Sequence, residues 1–149
     1  MIDTVKRVIA EYDTHDPEKI LKMMGVKIFI FPMEGINGIF REIKGIPMVF
    51  INSNLPDEEI AFVMAHELGH VLLHKDVNRL FLDRHTYLQS NYYETEANLF
   101  AVCLLNPDSQ DVIDEGDTFE KLACKMGVSV DLARLYFEDT NKTTGKKDE

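Results

Sequence analysis

The stretch Ile60–Leu73 constrains this chain more than any other. Ile60, Ala61, Phe62, Val63, Leu68, Val71, Leu72 and Leu73 make a helix apolar on nearly every side, and such a helix belongs at the centre of a fold. Set into it are His66, Glu67 and His70, in the pattern H-E-x-x-H. An unpaired charge in that setting costs on the order of several kcal/mol. Residues four apart on a helix share a face, one turn above the other. Both imidazoles therefore reach a single tetrahedral Zn²⁺ at about 2.0–2.1 Å, which also compensates the buried polar groups. Glu67 is turned about 100° from His66. It is expected beside the ion as a general base acting on water, not as a ligand. Gly69 costs up to about 1 kcal/mol against Ala in a helix interior, so the pattern predicts a close neighbour at that point.

A catalytic zinc takes three protein ligands and keeps one position open. The third is expected from Tyr92–Ala101. On a helix, Tyr93, Glu96, Ala97, Phe100, Ala101 and Leu104 share one face, which makes Glu96 the acid on the apolar side and the first choice of ligand. Glu94, about 200° away at 3.6 residues per turn, is the second choice. His74 extends the His66–His70 ladder but lies about 10.8 Å of rise from His66, too far for one ion. It reads as an outer support of the site or a helix-end residue, favoured there by the helix dipole. His85, in an irregular stretch over 75–90, can be read equally as a proton donor or as a surface residue. Tyr92 and Tyr93 are both candidates for stabilising an oxyanion, and the sequence does not choose between them.

The rest of the chain predicts an α+β fold with a small three-stranded sheet packed on this helix. Helices are expected over 3–13 and 16–24, the second opened by Asp16-Pro17-Glu18 and closed by Gly25. Strands follow over 26–31, 36–43 and 46–52, the last two joined by a tight turn at Lys44-Gly45. Pro47 has no N–H for a ladder, which predicts an edge position for the third strand, at least near its start. Further helices are expected over about 91–105, 118–126 and 129–138, ahead of a polar, disordered tail at 140–149.

Length and charge narrow the function classes. The 149 residues fit a single domain, expected over 1–139. A net charge of −10 weighs against binding nucleic acid or an anionic membrane surface. No apolar run approaches the roughly 18–20 residues that cross a bilayer, and the N-terminus lacks the order of a signal peptide, so a cytoplasmic protein is expected. Cys103 and Cys124 match no paired-cysteine motif. Cys103 is expected as a buried thiol.

Residues 26–107 resemble the ImmA/IrrE family of metallopeptidases. The matching pieces are Val49-Phe50-Ile51-Asn52, Ala65–His74 and Glu94–Pro107, in that order. The resemblance implies a compact gluzincin-like fold, one Zn²⁺ per chain and a glutamate third ligand, placed here at Glu96. It also implies a protein substrate, a helix-turn-helix repressor whose cleavage releases silenced genes of phages or mobile elements. Residues Phe119–Arg134 look like a helix-turn-helix themselves. However, 117–139 carry five acids against three bases, so the hairpin is expected to pack on the catalytic helices and not to contact DNA.

Overall fold

A computed structural model describes residues 1–75 and 87–145. Six helices and one sheet are present among them: α1 (Ile2–Tyr12), α2 (Pro17–Met23), β1 (Lys27–Phe31), β2 (Gly38–Ile43), β3 (Ile46–Asn52), α3 (Asp57–Leu73), α4 (Tyr87–Leu105), α5 (Phe119–Met126) and α6 (Val130–Thr144). The ends of these elements follow local chemistry. The Asp16 side chain accepts from the Glu18 N–H at 3.0 Å and opens α2. Thr118 and Ser129 cap α5 and α6 in the same way. Gly127, at φ 65°, ends α5 in the left-handed conformation that glycine adopts without strain.

The sheet order is β1-β3-β2, with β1 parallel and β2 antiparallel to β3. Lys44 and Gly45, at φ 51° and 77°, form the two-residue turn expected of a β2–β3 hairpin. The third strand is central along Met48–Asn52 and is an edge only near its start, so the edge position inferred from Pro47 holds for Ile46 and Pro47 and not for the rest of the strand. The ladder with β1 begins only at Met48, so Ile46 and Pro47 pair on one side alone and the missing N–H leaves no gap. The open edges belong to β1 and β2. The Asn52 N–H donates to the Asn37 carbonyl at 2.9 Å. In this register Ile39 and Arg41 bond to β3, while the backbone groups of Gly38, Phe40 and Glu42 point to the open edge.

One sheet face, with Val49 and Ile51 fully buried, packs against the helices. The other bears Phe29 stacked on Phe50, ring centroids 5.3 Å apart. The central helix α3 buries Met64, Ala65, Leu68 and Gly69. A Cβ on Gly69 would lie 3.1 Å from Phe100 Cδ1 and 3.3 Å from Phe100 Cβ, so α3 and α4 meet at the glycine that predicted a close neighbour. Gly38 gives β2 a similar approach to α3, where a Cβ would stand 2.4 Å from Val63 Cγ1.

The α5–α6 hairpin is part of the core, as its acidity suggested. Leu122, Ala133 and Tyr136 are buried, and the Tyr136 hydroxyl donates to the Asn106 carbonyl at 2.8 Å. α6 runs on to Thr144, past the point where a disordered tail was expected. Thr140 is buried, and the neighbouring Asp139 accepts from the Ile2 N–H at 2.6 Å, tying this helix to the start of α1. None of the described helices is long and apolar enough to cross a membrane.

Candidate metal centre

His66 and His70 stand one turn apart on α3, and their Nε2 atoms approach to 3.0 Å. From α4, the Glu94 carboxylate reaches both: Oε2 lies 3.1 Å from His66 Nε2 and Oε1 lies 3.1 Å from His70 Nε2. These three side chains form a cluster with the donor set and spacing of a metal site. Four ligands at about 2.0–2.1 Å around a tetrahedral ion are separated by about 3.3 Å. The observed separations of 3.0–3.1 Å fit that figure. The donor chemistry fits as well, since two imidazoles and a carboxylate are common zinc ligands.

The outer nitrogen of each ring is also held. His66 Nδ1 lies 2.7 Å from Asn98 Oδ1, and His70 Nδ1 lies 2.9 Å from His74 Nδ1. Glu67 is buried at 3% exposure beside the cluster and lines the same cleft as His66 and Glu94. Burial acts to lower the His66 pKa. The hydrogen bond to Glu94 and the charges of Glu67 and Glu94 outweigh it, so His66 is held above its ordinary 6.5. The same bonds to His66 and His70 hold the Glu94 carboxyl well below the usual range, against the effect of its partial burial.

The carboxylate in this cluster is Glu94, not the first-choice Glu96. Glu96 bonds His74 instead, Oε2 to Nε2 at 2.9 Å, and its Oε1 accepts from the Tyr92 hydroxyl at 3.1 Å. The choice of Glu96 rested on an apolar face, but α4 has no single such face. Phe100, Ala101, Val102, Cys103 and Leu104 are each at most 1% exposed. What decides is how α4 crosses α3. The helices run antiparallel, so His66 meets Asn98, His70 meets Glu94, and His74 meets Tyr93 and Glu96. Asn98 was not singled out from the sequence. Its signal was the spacing of four from Glu94, which puts both on one helix face. Tyr92 is 60% exposed, and the Tyr93 ring packs on His74 at 4.7 Å, so neither lines the cleft. His85 lies outside the described residues.

The cleft over the cluster has a volume of about 820 Å³. Its floor is His66, Glu67, Glu94 and Asn98, and Asn37 and Gly38 at the start of β2 stand on its rim. The turn of the α5–α6 hairpin, Lys125–Ser129, lines it too. The hairpin that resembles a DNA-binding unit therefore faces the candidate site. Asn52 shapes the approach to β2: its side chain bonds the Met33 N–H and carbonyl at 3.1 and 2.9 Å and the Ile36 carbonyl at 3.1 Å.

Comparison with known proteins identifies the family. The chain is 36% identical over 135 residues to uncharacterized immunity region protein 2 of Bacillus phage phi105, covering 88% of this chain and 85% of that one. It is 30% identical over 106 residues to metallopeptidase ImmA of Bacillus subtilis strain 168, covering 70% of this chain and 62% of that protein. The profile of the peptidase M78 family, described as the IrrE N-terminal-like domain, matches residues 21–135. The chain thus belongs to the M78 family of metallopeptidases, the IrrE N-terminal-like group, as the Ala65–His74 and Glu94–Pro107 segments implied.

Proposed function

We propose that this chain is a zinc-dependent endopeptidase that cuts a regulatory protein of the helix-turn-helix repressor class. The observation that carries this reading is the convergence of His66, His70 and Glu94 on one point beside Glu67, at the floor of an open cleft. His66, His70 and Glu94 are the proposed ligands of one Zn²⁺, and three protein ligands leave the open position of a catalytic site. Bound there, zinc supplies Lewis acidity for water activation and carbonyl polarisation.

Glu67 is the proposed general base. It takes a proton from the attacking water and returns it to the leaving amine. Its place on α3 keeps it next to the ligands without joining them. Asn98 fixes the His66 ring by its 2.7 Å bond. A substrate segment in extended form would add to the open edge of β2, bonding Phe40 and Gly38, the second of which lines the cleft. The central β3 has no free edge to offer along Met48–Asn52.

The repressor class of substrate is supported by the immunity-region name of the phage relative and by the resemblance read from the sequence. It would place the protein in the cytoplasm, with its acidic hairpin facing the substrate and not DNA. The test is incubation of the protein and zinc with the repressor encoded beside it. Cleavage by the wild type, lost in Glu67→Gln with zinc retained, is the expected result. Repressor binding without cleavage would point to a non-catalytic antirepressor with structural zinc. Undiminished cleavage by Glu67→Gln would remove the assigned base.

A further inference from the structure

Beyond the ligands, a second set of hydrogen-bonded polar groups runs away from the cleft. His70 Nδ1 lies 2.9 Å from His74 Nδ1, His74 Nε2 lies 2.9 Å from Glu96 Oε2, and the Tyr92 hydroxyl donates to Glu96 Oε1 at 3.1 Å. His74 is only 6% exposed, with the Tyr93 ring packed against it at 4.7 Å. We propose that His74 and Glu96 are positioning residues, a hydrogen-bonded chain that fixes the ring orientation and tautomer of His70 and thereby sets the affinity of the metal centre. This rests on the reading of His66, His70 and Glu94 as metal ligands.

The direction of the chain follows from donor and acceptor accounting. An ionised carboxylate only accepts. Glu96 therefore requires the hydrogen of His74 on Nε2. A neutral imidazole carries one N–H, so His74 Nδ1 is left as an acceptor. Among the described residues its partner is His70 Nδ1, which must then carry the hydrogen. With a metal bound, that leaves the His70 lone pair on Nε2, the atom 3.0–3.1 Å from His66 and Glu94, whereas without one the same nitrogen is hydrogen-bonded to Glu94. One carboxylate thus selects the ligating tautomer two rings away. His66 reaches the same state by a single step, through Asn98 Oδ1. Metal-binding imidazoles generally have such an outer partner, and losing it typically costs 10–100-fold in affinity.

The experiment uses the metal-free full chain and measures zinc affinity by competition with a chelating dye. His74→Phe keeps the ring packing and removes the acceptor, and is expected to weaken zinc by about 10–100-fold. His74→Asn offers Oδ1 where Nδ1 stands, so it should recover part of that loss. Glu96→Leu should also weaken binding. It sits at the more exposed end of the chain and serves as the test if His74→Phe does not fold. Zinc bound by folded His74→Phe as tightly as by wild type, or no recovery in His74→Asn, overturns the proposal. Absence of zinc binding in the wild type overturns the metal centre itself, and this proposal with it.

Discussion

Glu94→Ala separates the two carboxylates of α4 most sharply. In the structure each Glu94 oxygen stands 3.1 Å from one imidazole nitrogen of His66 or His70, whereas Glu96 contacts His74. Zinc held by four protein ligands is bound by about 10–16 kcal/mol, or roughly 3 kcal/mol per ligand. At about 1.4 kcal/mol per tenfold, losing Glu94 should weaken zinc by about 100-fold or more. Glu96→Ala should cost less, within the 10–100-fold typical of an outer partner. Titration of metal-free protein against a chelating dye measures both. A larger loss in Glu96→Ala than in Glu94→Ala would refute the geometry and return Glu96 to the metal.

The same substitution has a readout without metal. Glu94 holds His66 above its ordinary 6.5, and burial works the other way, so removing Glu94 should lower the His66 pKa. For stability, the raised His66 value contributes in full below 6.5 and is lost as pH rises through the folded value. The depressed Glu94 value contributes above 4.5 and is lost as pH falls through its folded value. The metal-free wild type should thus exceed Glu94→Ala in stability most clearly between those two ordinary values, and the gap should narrow as pH rises through the folded His66 value. In zinc titrations, affinity should weaken as pH falls through the His66 value, because the ligand must be neutral.

Gly38→Ala should destabilise the fold by about 1–3 kcal/mol through overpacking, since the new methyl would meet Val63 Cγ1, part of a stiff β-branched side chain; denaturant melts should show Val63→Ala restoring part of the loss. Asp139→Ala should cost about 0.5–2 kcal/mol by removing the acceptor of the Ile2 N–H, measurable as a drop in thermal midpoint. Burial and the Asp139 charge push the Cys103 thiol up to about 12, so at pH 8 native protein should be alkylated at the exposed Cys124 and not at Cys103, as read by peptide mass.

Much of this fold was legible because it is local. The caps at Asp16, Thr118 and Ser129, the Lys44-Gly45 turn and the Gly127 stop are each set by a few neighbouring residues. The H-E-x-x-H pattern needs only helical periodicity to place His66 and His70 on one face. Gly69 was readable too, as a helix-breaking cost that implied a close partner, found in Phe100. Of the tail expected over 140–149, the segment through Thr144 is helical, which the polar residues around Thr140 do not signal. It is held by a contact between Asp139 and Ile2 that spans nearly the whole chain.

Sequence by itself determined the local elements, the α3 face carrying His66, Glu67 and His70, and the expectation of a carboxylate arriving from about 92–101. Only the tertiary structure decided which carboxylate that is, because α4 is buried all round over Phe100–Leu104 and its polar positions ahead of that stretch are sorted by the antiparallel crossing over Gly69. Strand order was decided in the same way. Pro47 limits one residue's pairing, but whether β1 joins β3 at Met48 depends on a parallel ladder formed by distant residues. Periodicity fixes where side chains point around one element, while the register between two elements is set by packing that neither contains alone.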